Sequence, residues 1–279
     1  MPINFFKDIA YPHDDHVIKI APPDSVKEFV EGYYLFNTGR LEKRALFFND
    51  GYPVIAFMQS PDEKMKLSIE GTAKQLDNIW VCGGMLNNVY CESPASYGNL
   101  FVVRFYPLTF FKLFEVQHNC FEEDQVFNLS EIVGTGIKEL NDGYYNSLSI
   151  DSRIEIISGF IAQKANSCSY PKLLTDLLNY IDRQDVFTVK DLQTKYATRL
   201  NYKWLERNFK AFTGLSPKNY FLIKRFLNAY LDLHSYTSKD LIQVAIDNGY
   251  YDDNHLIKDF KRFAGISPKK YFQEINKFN

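Results

Sequence analysis

The chain has 279 residues, 46% of them hydrophobic and 24% charged, enough apolar material for two ordinary domains, each with its own buried core, and too much for a disordered or fibrous protein. Its cysteines, Cys82, Cys91, Cys120 and Cys168, include no CxxC pair, which excludes a disulfide framework or a finger-type metal site and leaves free thiols. The net charge of −2 conceals a split: from Lys172 onward there are 18 Lys and Arg against 12 Asp and Glu, a net of +6, and the residues before it carry −8. A basic C-terminal portion makes nucleic acid a candidate partner.

The opening stretch, "MPINFFKDIAYPHDD", has no basic segment followed by an apolar run and a small-residue cleavage site, so no export signal is read there. The longest apolar runs, such as "LFVVRFYP", stop well short of a membrane span. The expected location is the cytoplasm, with no membrane partner. His13 with His16, and His118 with Cys120, lack a second pair at metal-binding spacing, so neither a metal nor a cofactor is expected.

In chain order, "RALFFNDGYPVIAFMQ" places two β-prone runs around Asn49-Asp50-Gly51, a turn signal suited to a hairpin. "MKLSIEG", "NIWVCGG" and "NLFVVRFYP" are further strand candidates. In the last of these Arg104 alternates with apolar neighbours. The expectation is an outward, solvated side chain, with an anion-binding role inside a barrel as the alternative. Pro107 suits the first turn of a helix through "LTFFKLFEV", and Ile154, Ile157 and Ile161 keep helical spacing across "IDSRIEIISGFIAQKA". The fold class expected is therefore a mainly-β, barrel-like domain with flanking helices over residues 1–165, a linker at 166–171, "NSCSYP", and an all-α domain over 172–279.

Beyond the linker, Leu173, Leu174, Leu177, Leu178 and Ile181 define an amphipathic helix. Thr188 with Asp191, and Thr237 with Asp240, open two further helices with cap-like chemistry. Gly249 stands where a turn needs positive φ. A near-repeat then dominates: from Leu205 to Phe221 and from Leu256 to Phe272, ten of seventeen positions are identical at an offset of 51. Leu205, Phe209 and Phe212 share one helix face, as do Leu256, Phe260 and Phe263. Gly214 and Gly265 end these helices, and Ser216-Pro217 and Ser267-Pro268 start the next ones.

Each unit, about 186–217 and 237–268, thus runs helix, turn, helix, Gly stop and new helix, the order a helix-turn-helix needs. Tyr202, Lys203, Glu206 and Arg207 occupy the outer face of the first reading helix; Asp253, Asn254, Ile257 and Lys258 occupy that of the second, with Asp252 as its N-cap. The connecting segment "NYFLIKRFLNAYLDLHS" reads as a helix roughly 24 Å long. The two reading helices are then expected about 34 Å apart, one turn of duplex DNA.

The residues "LERNFKAFTGLSPKNYFLIKRFLNA" and "VAIDNGYYDDNHLIKDFKRFAGISPKKYF" resemble the tandem helix-turn-helix domain of the AraC/XylS family of bacterial transcription regulators. The resemblance implies base-reading roles for Tyr202, Lys203, Glu206 and Arg207, and for Asp253, Asn254, His255 and Lys258. It implies DNA-backbone contacts from Lys218, Arg225, Lys261, Arg262 and Lys269. Gln193 stands where the family has a small Ala, and the interval to Leu205 is about two residues longer than usual in the family.

"VKEFVEGYYLF", the "NDG" turn and "NLFVVRFYPLTFFKLF" more faintly resemble a sensor-type domain found ahead of that module. This second resemblance implies an effector-binding or dimerising N-terminal half, a homodimer on duplex DNA, and RNA polymerase and a small effector as candidate partners. Two rival readings are a ligand-independent DNA-binding adaptor that recruits a partner protein, and an alkyl-transfer DNA repair enzyme. The second needs clustered thiolates, and the cysteines are widely spaced in sequence. Walker, G-x-S-x-G and H-E-x-x-H motifs are absent, so the chain reads as a non-enzyme.

Overall fold

The computed structural model describes residues 1–10, 16–39, 41, 43–117, 120–123, 126–165, 171–182, 201–235 and 240–276. The sequence expectations for His13, His118, Cys168, most of the 166–171 linker, Thr188, Asp191, Gln193 and Thr237 lie outside these residues, as does the first part of the first helix-turn-helix unit.

Among the described residues, a short helix α1 (Asn4–Ala10) precedes ten strands: β1 (Val17–Ile20), β2 (Val30–Asn37), β3 (Arg44–Leu46), β4 (Val54–Phe57), β5 (Met65–Ile69), β6 (Thr72–Leu76), β7 (Ile79–Cys82), β8 (Val89–Glu92), β9 (Asn99–Phe105) and β10 (Val126–Asn128). They form two antiparallel sheets, one ordered β1-β2-β9-β4-β7-β10 and the other β3-β8-β5-β6. The strand candidates "MKLSIEG", "NIWVCGG" and "NLFVVRFYP" are β5, β7 and β9.

Side chains alternate between two buried clusters, as the period of two requires. On β4, Val54 and Ala56 face one cluster while Ile55 and Phe57 face the other; on β9, Leu100 and Val102 divide from Phe101 and Val103 in the same way. The first cluster lies between the sheets, where Phe5 of α1 stacks on Phe36 at 4.1 Å. Helices α2 (Phe110–Leu113), α3 (Cys120–Glu123), α4 (Leu129–Val133), α5 (Ile137–Asn146) and α6 (Ile150–Lys164) follow. Tyr144 of α5 and Ile154, Ile157 and Ile161 of α6 cover the opposite face of the larger sheet, and the Tyr33 and Ser158 hydroxyls meet across it at 2.8 Å. This is the mainly-β half that the strand signals led us to expect.

Two expectations fail here. Asn49-Asp50-Gly51 does not close a hairpin, because β3 and β4 belong to different sheets. The turn is instead buried: Asn49 Nδ2 donates to the Gly84 carbonyl at 2.9 Å, and Asp50 pairs with Arg104. Arg104 is not a solvated residue either. It is 6% exposed, held between Asp50 and Glu31, with its guanidinium 3.8 Å from the Tyr52 ring centre. Burial opposes its charge, and the two carboxylates outweigh that and keep it protonated. The pairing also removes it as a free anion receptor. The helix expected from Pro107 is short, since Glu115 turns the chain at φ 51 after a single turn.

The remaining elements among the described residues are helical: α7 (Lys172–Asp182), α8 (Tyr202–Thr213), α9 (Pro217–Ser235), α10 (Leu241–Asp247), α11 (Asp253–Ala264) and α12 (Pro268–Asn276). The connecting helix α9 has 19 residues, about 28 Å, because it already starts at Pro217. The between-sheet cluster does not stop at the end of the β-rich half. It continues from Phe47 and Phe48 into Leu174, Leu205, Phe209, Phe226 and Phe260, so the two halves share one core. Ring pairs Phe48–Phe226 at 5.4 Å and Phe48–Phe263 at 5.3 Å mark the crossing.

Candidate nucleic-acid interface

Each reading helix is built by the same local rules. Helix α8 is capped by Asn201, whose side chain accepts from the backbone N–H of Lys203 (3.0 Å) and Trp204 (3.3 Å). Helix α11 is capped by Asp252, which accepts from the His255 N–H at 2.9 Å. The inward faces are Leu205, Phe209 and Phe212 on α8 and Leu256, Phe260 and Phe263 on α11, all buried. Gly214 and Gly265 close the helices in the left-handed region, at φ 69 and 72. Asp252 is a cap readable from the sequence. Asn201 is one that the sequence reading lacks, although an Asn ahead of a helical apolar face is the same signal.

This burial leaves a polar outer face on both helices. Tyr202, Lys203, Glu206 and Arg207 are exposed on α8; Asn254, His255 and Lys258 are exposed on α11, with Asp253 half-buried. Tyr251, not singled out in the sequence, stands 88% exposed just ahead of the α11 cap. Lys218, Lys261 and Lys269 are exposed as well. Arg225 is placed differently from them. Its guanidinium bonds Asp259 Oδ2 at 2.9 Å and lies 3.9 Å from the Tyr250 ring centre, tying α9 to α11. Arg262 donates from Nε to Asn87 Oδ1 of the β-rich half at 3.2 Å.

The β-rich half meets both reading helices at the same point of the repeat. Phe111 of α2 fills the space that a Cβ on Gly214 would need, and Asn88 does so at Gly265. At the end of α11 the Asn88 N–H donates to the Phe263 carbonyl at 2.8 Å and the Tyr90 hydroxyl to the Ala264 carbonyl at 2.6 Å. These are helix-terminal carbonyls with no partner inside the helix, so the β-rich half completes the cap. Gly265→Ala is accordingly expected to cost about 1–3 kcal/mol, since it forces a side chain into the left-handed region against Asn88; the shift in urea midpoint at unchanged slope measures it.

Cys82 and Cys91 fit no nucleophilic centre. Cys82 and Cys91 are buried, and burial pushes their thiols up to about 11 and about 12, away from the thiolate an acceptor would need. Among the described residues, no group of three or more His, Cys, Asp or Glu is placed to hold a metal ion, and no helix is long and apolar enough to cross a membrane.

Two helices with capped N-termini, buried apolar inner faces and polar outer faces, joined through the long helix α9, form the described part of the repeat, and the C-terminal part of the chain is similar to helix-turn-helix domains. Residues 196–274 match a family described as "Helix-turn-helix domain". The HTH-type transcriptional activator RhaS of Mannheimia succiniciproducens is 26% identical over 150 residues, which are 50% of this chain and 54% of RhaS; the chain thus matches about half the length of that curated relative. Among solved structures, ToxT from Vibrio cholerae O395 matches over 92% of this chain and 95% of its own, at 15% identity and a TM-score of 0.40. A fatty-acid-bound ToxT of Vibrio cholerae strain SCE256 matches over 92% and 93%, at 16% identity and a TM-score of 0.40.

Proposed function

We propose that the chain is a sequence-specific, DNA-binding transcription regulator. The observation that carries this reading is the matched pair of exposed polar faces on α8 and α11, each backed by buried apolar residues, in a C-terminal portion whose net charge is +6. Tyr202, Lys203, Glu206, Arg207, Asp253, Asn254, His255 and Lys258 read base edges in two successive major-groove segments. Lys218, Lys261, Arg262 and Lys269 hold phosphates, while Arg225 acts by bracing the second reading helix. The match to a transcriptional activator along half its length supports the regulatory role.

The β-rich half sets the availability of the reading helices, because it touches both at their C-terminal glycines. A cleft of about 370 Å³ between the halves, lined by Glu28, Tyr52, Tyr106, Leu108, Thr175 and Leu178, offers a small effector a place to bias that contact. Homodimerisation, contact with RNA polymerase and a cytoplasmic location complete the reading.

The experiment is a comparison of variants on duplex DNA carrying a site selected by the full chain. Arg207→Ala and Lys258→Ala are expected to lose about 1–3 kcal/mol on that site and to relax preference at particular base pairs. Lys269→Ala is expected to weaken all duplexes alike and to lower the slope of log K against log salt by about one. Identical behaviour of the three variants would overturn the assignment of roles.

A further inference from the structure

The exposed N-terminal end of α11 holds an arrangement that base reading by helical face alone does not use. Asp252 does more than cap the helix. The same Oδ1 that accepts the His255 backbone N–H also lies 2.9 Å from His255 Nδ1, so backbone and imidazole of one residue converge on one carboxylate. The carboxyl group is held below its usual range, chiefly by the His255 backbone N–H and further by its side chain, and is therefore an acceptor only. An acceptor-only partner requires the proton on Nδ1. Nε2 is then left as the free end of an exposed side chain, third residue of a reading helix whose N-terminal turn is the part that meets base edges.

Resting on the DNA-reading function proposed for this helix, we propose that Asp252 is a positioning residue that fixes the tautomer of His255, and that His255 Nε2 discriminates one base pair by its protonation state. The neutral ring presents Nε2 as an acceptor, which fits the exocyclic amine of adenine or cytosine. The imidazolium presents Nε2–H as a donor, which fits guanine O6 or N7. Facing the ring are the Asp252 carboxylate and the Tyr251 ring, perpendicular at 6.2 Å. Lys258 and Asp259 follow one turn along, with Asp259 held by Arg225.

The test is selection of bound sequences from a random duplex pool by the full-length chain at about pH 5.5 and about pH 8.5, a range over which histidine side chains change charge. One column of the motif is expected to move from adenine or cytosine at high pH to guanine at low pH, by on the order of tenfold in relative enrichment. His255→Gln, which does not titrate, is expected to make that column independent of pH. Asp252→Asn keeps a competent cap but loses the acceptor-only carboxylate, and is expected to blur the column at high pH. A motif that is the same at both pH values, a pH change that survives His255→Gln, or an Asp252→Asn motif identical to the parent overturns the inference while leaving DNA recognition standing. Enrichment of no motif at either pH overturns DNA recognition itself, and the inference with it.

Discussion

Phe48→Ala is expected to lower stability by about 3–5 kcal/mol, the range for deleting a fully buried aromatic side chain. Phe48 is 1% exposed and its ring meets Phe6 at 5.9 Å, Phe226 at 5.4 Å and Phe263 at 5.3 Å. It therefore touches an element of the β-rich half, the connecting helix and the second reading helix at once. The cavity would open where the halves join, so unfolding in urea is expected to split into two transitions, with the intrinsic fluorescence and circular dichroism midpoints no longer coincident. Phe57→Ala supplies the control. Phe57 packs on Tyr144 at 4.3 Å, inside the β-rich half and away from the helices of the C-terminal half. A similar loss of stability is expected there with a single transition, and two transitions in both variants would mean that Phe48 does not couple the halves.

The second large effect is expected at Asp50. Removing one partner of a buried ion pair leaves a charge without compensation, and costs about 3–5 kcal/mol. Asp50 and Arg104 are 5% and 6% exposed, and Glu31, at 3.4 Å, is the weaker second partner. Asp50→Ala is expected to fall in that range, and the double variant Asp50→Ala with Arg104→Met to recover more than half of the loss, because a hydrophobic stem then replaces the stranded guanidinium. Thermal and urea denaturation of the four proteins of the cycle give the coupling directly. If Arg104→Met recovers nothing, the cost of Asp50→Ala comes from the turn and not from the charge. The turn matters in its own right: Gly51, at φ 92, lies against the Tyr220 ring of α9, and the Lys224 ammonium sits 4.8 Å from the Tyr52 ring centre.

Legible in the sequence is whatever local periodicity and local chemistry decide. The spacing of Ile154, Ile157 and Ile161 marks α6 and its buried face, and Gly followed by x-Ser-Pro marks the end of each reading helix and the start of the next. Those signals act within a turn or two of helix. Arg104 defeats them because its partner, Asp50, is 54 residues away, and no alternation pattern can report a buried ion pair between a strand and a distant turn. The Asn49-Asp50-Gly51 hairpin fails for a related reason. The turn chemistry is present, but the flanking strands go to different sheets, a choice made by pairing partners further along the chain. Helix α1 escapes a sequence reading because "NFFKDIA" is too short for a helical period to show, and its aromatic residues are held by the between-sheet core. At the candidate interface, the eight reading positions come from helical faces plus resemblance. The Asp252–His255 pair needs side-chain geometry.

The core shared by the two halves also bears on how the protein is made. The Tyr90 to Ala264 bond spans 174 residues and the Tyr230 to Asn4 bond spans 226, so neither can form until nearly the whole chain has left the ribosome. At about 5–20 residues per second, the strands through β9 precede the second reading helix by roughly eight to thirty seconds. Until then Phe48 lacks one or both of its C-terminal ring partners, Phe226 and Phe263, and the nascent β-rich half presents an aromatic surface of the kind that chaperones hold and that stalled or truncated products aggregate through. Making both reading helices part of the core thus ties the solubility of the newborn N-terminal half to completion of the C-terminal one.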